Sequence, residues 1–315
     1  MARTPTMRRL VLALGLLAPG SLAAQARLTL FNAGSLGKPL REALQEFVRR
    51  NPGVEPAQEN SGSLEAARKL TDLGKVPDII ALADEAVFPA LLMPGQVRWY
   101  AAFARNEMVL AYTDQSRYAA DVTAANWPDI LLRPDVRTGR SAPALDPNGY
   151  RTLMVAQLEA RRRHDPTLAG RLVAAMGERY IRPKESDLVA QLQAGELDYA
   201  WSYRSIAETA GLRYVDLPSE VDLSDPAREA AYAEARVQVP RHGSGGADSV
   251  TVVGAPILYA LAIPTAAPQP ALAQRFVEFL FSPDGRAILE RNGLTVLDRP
   301  ILHGDTPRWL RTQGR

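Results

Sequence analysis

Apolar residues along this chain keep two rhythms, and small polar residues mark where one gives way to the other. Leu28, Leu30 and Ala33 bracket a short strand. After Ser35, the positions Leu36, Leu40, Ala43, Leu44 and Phe47 recur at spacings of three and four, which describes one apolar helix face. Asn51-Pro52-Gly53 stops that helix. Residues 54–59 read as a weak strand, after which Leu64, Ala67 and Leu70 share a helix face that Gly74 ends. Residues 77–84 form a buried strand running into an acidic loop. Three strand–helix units in succession predict a mainly parallel sheet covered by helices.

The rhythm changes at residues 99–113, a nearly continuous strand-like run that reads as a crossing from a first lobe to a second. Beyond it, Asp146-Pro147-Asn148-Gly149-Tyr150-Arg151 turns into a helix carrying Leu153, Ala156 and Leu158, which the solvated run Arg161-Arg162-Arg163 closes. Residues 186–192 predict a helix, 197–201 a strand, and Ser202-Tyr203-Arg204-Ser205-Ile206-Ala207 the opening of another helix. Residues 217–246 are a polar excursion ending in a flexible tip, His242-Gly243-Ser244-Gly245-Gly246. Residues 250–263 form the second crossing strand, and Leu272, Phe276, Phe279 and Leu280 mark an amphipathic helix beyond it. The expected α/β architecture has lobe I from residues 27–110 plus 262–315, lobe II from 111–261, and a cleft between them. Two such lobes close on a small ligand by hinge motion.

The stretch Phe31-Asn32-Ala33-Gly34-Ser35-Leu36 and its echo Asn60-Ser61-Gly62-Ser63-Leu64 each end an extended run and open a helical one. A helix start leaves about four backbone N–H groups without intrahelical partners and carries partial positive charge. Glycine lets the backbone approach a ligand, and a serine hydroxyl adds a neutral donor, so such turns suit an oxyanion. Two roles fit Ser35, Ser61 and Ser63: donor to an anion, or N-cap of their own helices.

Composition narrows the function. With 46% hydrophobic and 23% charged residues in a chain of 315, there is core material for two domains. Arg3, Arg8 and Arg9, the apolar run Leu10 to Leu17, the break Pro19-Gly20-Ser21 and the small residues of Ala24-Gln25-Ala26 read as a signal peptide cleaved after Ala26. The competing reading, an N-terminal membrane anchor, meets an apolar run that is short for a span. Removing residues 1–26 takes away three arginines and no acidic residue, so the net charge of +2 becomes −1. A basic nucleic-acid footprint is therefore absent from the mature chain. The zero cysteine count excludes disulfides, thiolate metal sites and cysteine nucleophiles.

These motifs together resemble the extracellular solute-binding proteins of the tungstate/molybdate type, the archaeal-like branch serving ABC importers. The resemblance is carried by Asn32-Ala33-Gly34-Ser35-Leu36, Asn60-Ser61-Gly62-Ser63, residues 78–84, residues 103–113, Asp146-Pro147-Asn148-Gly149-Tyr150-Arg151, Leu197-Asp198-Tyr199-Ala200, Tyr203-Arg204-Ser205-Ile206-Ala207 and Gly254-Ala255-Pro256-Ile257-Leu258-Tyr259. It implies a type II periplasmic binding protein fold, two lobes with a cleft and two crossing segments, holding molybdate or tungstate as ligand without a cofactor. The protein would be a monomer in the periplasm or outside the cell and would deliver its anion to an ABC importer permease. Ser35 and Ser63 would bond the anion from lobe I, with Asp146, Ser202 and Tyr203 facing it from lobe II. In the family, an aspartate at the position of Asp146 and a glutamate near Tyr203 approach the metal of the oxyanion and raise its coordination. Ser202 takes that glutamate's place here, a departure that leaves one carboxylate and makes the site less hostile to an anion held by neutral donors alone.

Asp146 keeps two readings: contact with Mo or W, or cap of its own helix paired with Arg151 or Arg204. Arg151 is expected to point sideways, Arg204 to be a structural partner or gate, and Glu107 to form a hinge ion pair. Tyr203 and Tyr259 are either donors to the anion or cleft packing. Catalysis is not expected, because His164, His242 and His303 are not coupled by motif to any of the serines. Sulfate, phosphate or an organic anion is the alternative cargo. An iron site from Asp198, Tyr199 and Tyr203 does not converge, since neighbours along a strand face opposite sides. A sensing domain would need an output module, which this chain does not carry.

Overall fold

In the computed structural model, which describes residues 26–240 and 249–311, the three strand–helix units at the amino end build one half of a sheet. Strands β1 (Ala26–Ala33), β2 (Val54–Ser61) and β3 (Ile79–Leu82) pair in parallel, with β1 in the middle. The helices Gly37–Arg50 and Ser63–Thr71 connect them, turning Leu40, Ala43, Leu44, Phe47, Ala67 and Leu70 inward. The proposed signal peptide, apart from Ala26, and the glycine-rich segment at 242–246 lie outside the described residues.

The other half of this sheet is antiparallel, so the expected mainly parallel arrangement holds only for the first three strands. Strand β4 (Trp99–Arg105) leads out of the sheet toward the second lobe, and β5 (Met108–Tyr112) begins three residues later in a different sheet. After β6 (Thr138–Ser141), β7 (Ile181–Arg182), β8 (Tyr199–Tyr203), β9 (Arg213–Asp216) and the hairpin of β10 (Arg236–Pro240) with β11 (Ser249–Val253), the chain returns. Strand β12 (Leu258–Ala262) inserts antiparallel between β3 and β4, and β13 (Thr295–Gly304) pairs beyond β4. A strand that brings the chain back from a second lobe runs opposite to the one that left, which accounts for the mixed sheet. The order is β13-β4-β12-β3-β1-β2 in the first sheet and β7-β6-β8-β5-β9 in the second.

The pairings move both crossing points. Met108, Val109 and Leu110, expected in lobe I, pair with β8, and Val109 and Leu110 also pair with β9, in the second sheet. Leu258, Tyr259, Ala260 and Leu261, expected in lobe II, belong to the first. The crossing segments are therefore Asn106-Glu107 and Gly254-Ala255-Pro256-Ile257, lying side by side with Asn106 N–H 3.4 Å from the Ile257 carbonyl. An apolar run continues through each crossing, so hydrophobicity alone does not mark the change of sheet.

A further correction concerns Ser202 and Tyr203, which end strand β8; the helix begins at Arg204 (Arg204–Thr209). All five residues of β8 are buried, because the strand is central in its sheet and covered on both faces. Such a strand shows no alternation that would set its end apart from a helix start.

Candidate functional site

The first wall of the interlobe seam is the pair of turns after β1 and β2. Their register is fixed by side-chain amides: Asn32 Nδ2 donates to the Ala33 carbonyl and to Asn60 Oδ1, both at 2.7 Å, and Gln58 Nε2 donates to Asn32 Oδ1 at 3.0 Å. Ala33 thus stands opposite Ser61 at the strand ends, and the turns bearing Ser35, Ser61 and Ser63 come together. Ser35 and Ser63 open helical turns, but neither occupies the cap position of its helix and neither helix start has a side-chain cap bond. Of the two roles open to these serines, the capping bond is the one not made. Ser63 Oγ accepts from Ala83 N–H at 3.0 Å, which leaves its own hydrogen to donate. The buried Ser61 hydroxyl has no protein hydrogen-bond partner.

The second wall is charged and cross-bonded. Asp146 caps the helix Pro147–Arg162, one carboxylate oxygen accepting from Asn148 N–H at 3.1 Å and the other from Glu185 N–H at 2.8 Å. The cap reading is therefore realised, without either arginine partner: Arg204 pairs with Glu107 and Asp216, and Arg151 with Asp84. The hinge ion pair expected of Glu107 is present in that contact.

Ser202 does not stand free. Its hydroxyl donates to Glu185 Oε1 at 2.6 Å, and Tyr203 N–H reaches the same oxygen at 2.5 Å. That amide and hydroxyl, expected to face an anion, are thus directed at a carboxylate. Glu185 is only 2% exposed, and its Oε2 has no hydrogen-bond partner. So the second carboxylate, absent from position 202, arrives from elsewhere in the chain. Burial, reinforced by the neighbouring Asp146 charge, pushes the Glu185 carboxyl well above the usual range. Burial also raises Asp146 to about 6, against the pull of its two backbone N–H partners. Sequence reasoning missed Glu185; its one local signal is a glutamate directly before a helix start, a position where Ser, Thr, Asp and Asn are preferred.

Contacts across the seam hold the lobes closed. Arg151, 3% exposed rather than sideways at the surface, donates to the Ala83 carbonyl at 2.7 Å and to the Tyr203 hydroxyl at 2.8 Å, and pairs with Asp84 at 3.1 Å. The Tyr150 hydroxyl also bonds Asp84, and Arg68 reaches the Ala144 carbonyl at 2.8 Å. The lobes meet backbone to backbone at Gly62: a Cβ there would stand 2.1 Å from the Leu145 carbonyl oxygen and 3.3 Å from Asp146 Cα. At Gly34 it would sit 3.4 Å from Ser186 Oγ. Tyr259, on the returning strand, accepts from Asn106 at 3.0 Å and packs edge-on to Tyr203 at 5.9 Å. Burial and the Glu185 charge raise its phenol, while the Ser35 hydroxyl draws it back.

Ser35, Ser63, Asp146, Ser202 and Tyr203 are thus linked by direct neighbours into one buried seam. A groove of about 480 Å³ opens beside it, lined by Leu64, Tyr150, Val239 and residues 250–253 among others. Its apolar walls do not include these five residues and suit an anion poorly. Among the described residues, no cluster of three or more His, Cys, Asp and Glu side chains is placed to hold a metal ion.

The model of the bacterial extracellular solute-binding protein family matches residues 28–295, most of the chain. This protein belongs to that family. It is a solute-binding protein of ABC transport and not an enzyme. Relatives include a solute-binding protein of Petrotoga mobilis, 40% identical over 87% of this chain and 84% of its own length. The molybdate/tungstate-binding protein WtpA of Pyrococcus abyssi is 34% identical over 91% of this chain and 89% of its own. Among solved structures, the periplasmic molybdate-binding protein of Azotobacter vinelandii superposes with a TM-score of 0.61 at 15% identity, covering 86% of this chain and 99% of that one. The sulfate-binding protein SubI of Mycobacterium tuberculosis gives 0.60 at 13% identity, covering 91% and 89%. At such identities the structures speak for the fold alone, and the solute-binding protein has the type II periplasmic binding fold. Membership in an extracellular family implies export, and among the described residues no helix is long and apolar enough to cross a membrane.

Proposed function

We propose that this solute-binding protein captures molybdate or tungstate between its lobes and hands it to the permease of an ABC importer. It would act as a monomer in the periplasm or outside the cell, exported through the signal peptide expected at residues 1–26. The observation that carries this reading is the Ser61 hydroxyl, buried at the lobe seam with no protein partner, beside Gly62 where the lobes touch. A neutral donor in that position suits a dianion, because it contributes a hydrogen bond without a buried counter-charge. Ser35 and Ser63, on the adjoining turns, add further hydroxyls. The relatives named for molybdate and tungstate, 34% and 33% identical over nearly the whole chain, support the same class of cargo.

From the other wall, Asp146 would face the metal of the oxyanion. Each of its oxygens carries one backbone hydrogen bond and keeps a lone pair for a further contact. Sulfate is the competing cargo, but Glu185 beside Asp146 weakens the case for it, since two carboxylates repel an anion whose central atom accepts no further oxygen. Calorimetry with molybdate, tungstate, sulfate and phosphate tests the reading. One molybdate or tungstate per chain, held at least about tenfold (about 1.4 kcal/mol) tighter than sulfate, is the expected result. Equal or tighter sulfate binding would overturn it. X-ray absorption on bound tungstate then tests Asp146, with an oxygen neighbour beyond the four of the oxyanion expected in the wild type and lost in Asp146→Ala.

A further inference from the structure

Glu185 reaches the seam from the start of the helix Ser186–Gln193. Its Oε1 is held twice, by the Ser202 hydroxyl and the Tyr203 N–H, both at the end of β8. Those two bonds fix the plane of the carboxyl group and turn Oε2 away from the strand. Oε2 is buried and meets no protein donor. Leaving a buried carboxyl oxygen without a partner is costly, and native structures rarely do so without a functional reason. The surrounding elements offer no remedy. Asp146 is itself a carboxylate, its near neighbour Arg151 is engaged with Ala83, Asp84 and Tyr203, and Tyr259 is bound by Asn106. Lys184 and Asp187, flanking Glu185 in the chain, pair with each other at 3.8 Å.

Building on the oxyanion reading above, we propose that Glu185 is a specificity-determining ligand contact, meeting the bound anion through Oε2 and selecting which tetrahedral anions the cleft accepts. A carboxyl oxygen attracts an anion in two circumstances: when the central atom of the anion accepts another oxygen neighbour, or when the anion brings a proton of its own. It repels a fully ionised anion with a closed central atom, of which sulfate is the example. The same group thus favours one class and excludes the other, the two-sided arrangement that discrimination requires. This role belongs to position 185 rather than 202, because Ser202 donates to Glu185 and so orients it.

Molybdate and sulfate titrated into wild type, Glu185→Gln and Glu185→Ala give the test. Glutamine keeps an oxygen for Ser202 and Tyr203 and replaces Oε2 by an N–H donor, so β8 stays anchored. Thermal melting checks that both variants fold. In Glu185→Gln, molybdate affinity is expected to fall about tenfold and sulfate affinity to rise about tenfold, a shift of about a hundredfold in their ratio. Glu185→Ala is expected to lose at least as much molybdate affinity. If wild type prefers molybdate and folded variants keep the wild-type ratio, the proposal is overturned alone, and Glu185 only anchors β8. A wild type that prefers sulfate would overturn the underlying oxyanion reading and this proposal with it.

Discussion

On the first lobe, Ser35, Ser61 and Ser63 line the seam with neutral hydroxyls held in place by the amides of Asn32, Gln58 and Asn60. Across from them, Asp146, Glu185, Ser202, Tyr203 and Arg151 are bonded to one another or to the facing backbone. The contrast separates two tasks. The neutral wall has hydrogens to give to a dianion, whereas the charged wall has one carboxyl oxygen unpaired and its cation fully engaged. Arg151 is therefore a latch between lobes: its partners Ala83 and Asp84 lie on the first lobe and Tyr203 on the second. Grip comes from dipoles, and closure from charge.

Removing the latch is the severest way to break this division. In Arg151→Met the methionine keeps apolar bulk but leaves Asp84 buried without its cation, a loss on the order of 3–5 kcal/mol for a buried pair. We expect a large fall in thermal stability and in molybdate affinity, and a liganded protein that small-angle scattering finds extended rather than closed. Wild-type melting and affinity in this variant would show that the charged wall does not hold the lobes together.

The serines sharpen the comparison from the other side. Ser61→Ala removes a hydroxyl that bonds no protein atom, so it is expected to weaken molybdate binding by about 1–3 kcal/mol and leave stability unchanged. Ser63→Ala removes a similar donor but also the acceptor of Ala83 N–H, and so is expected to lower both affinity and melting temperature. Should both variants bind like wild type, the neutral wall is not the gripping one.

How much of this could be read in advance follows the same line. The turns of the neutral wall are local, and their period changes from strand to helix within a few residues around Ser35 and Ser63. Even the repeated asparagines were visible as motifs, although their function as a tie between β1 and β2 was not. The charged wall is assembled from distant pieces. Glu185 meets Ser202 from 17 residues away, and Arg151 meets Ala83 from 68, contacts that no spacing rule predicts. Whether Arg151 faces sideways or inward depends on how its helix is rolled against β3 and β8, a tertiary choice. The crossing points slipped by a few residues for a related reason: β5 and β12 are buried on both faces as soon as they leave the crossings, so their apolar runs begin before the sheet changes.

The smallest effect expected is also the one confined most sharply to a single wall. The neutral side contributes only hydroxyls and amides to the seam, none of which titrates near neutrality, whereas Asp146 is raised to about 6 by burial. A carboxyl raised in the folded state adds stability that is fully present below its unfolded value of about 3.9 and is lost as pH rises through about 6. Lowering the pH from about 7 to about 5 should therefore stabilise the ligand-free wild type relative to Asp146→Asn, by on the order of 1 kcal/mol. Asparagine is a good N-cap and cannot titrate, so the variant keeps the helix start while removing the proton linkage. Glu185 is raised in the same direction and remains in both proteins, so the difference between them isolates Asp146. Urea midpoints of the two proteins across that range provide the measurement. If the two curves run parallel, Asp146 is not the buried, protonatable group that the charged wall requires, and the division between the walls is one of geometry alone.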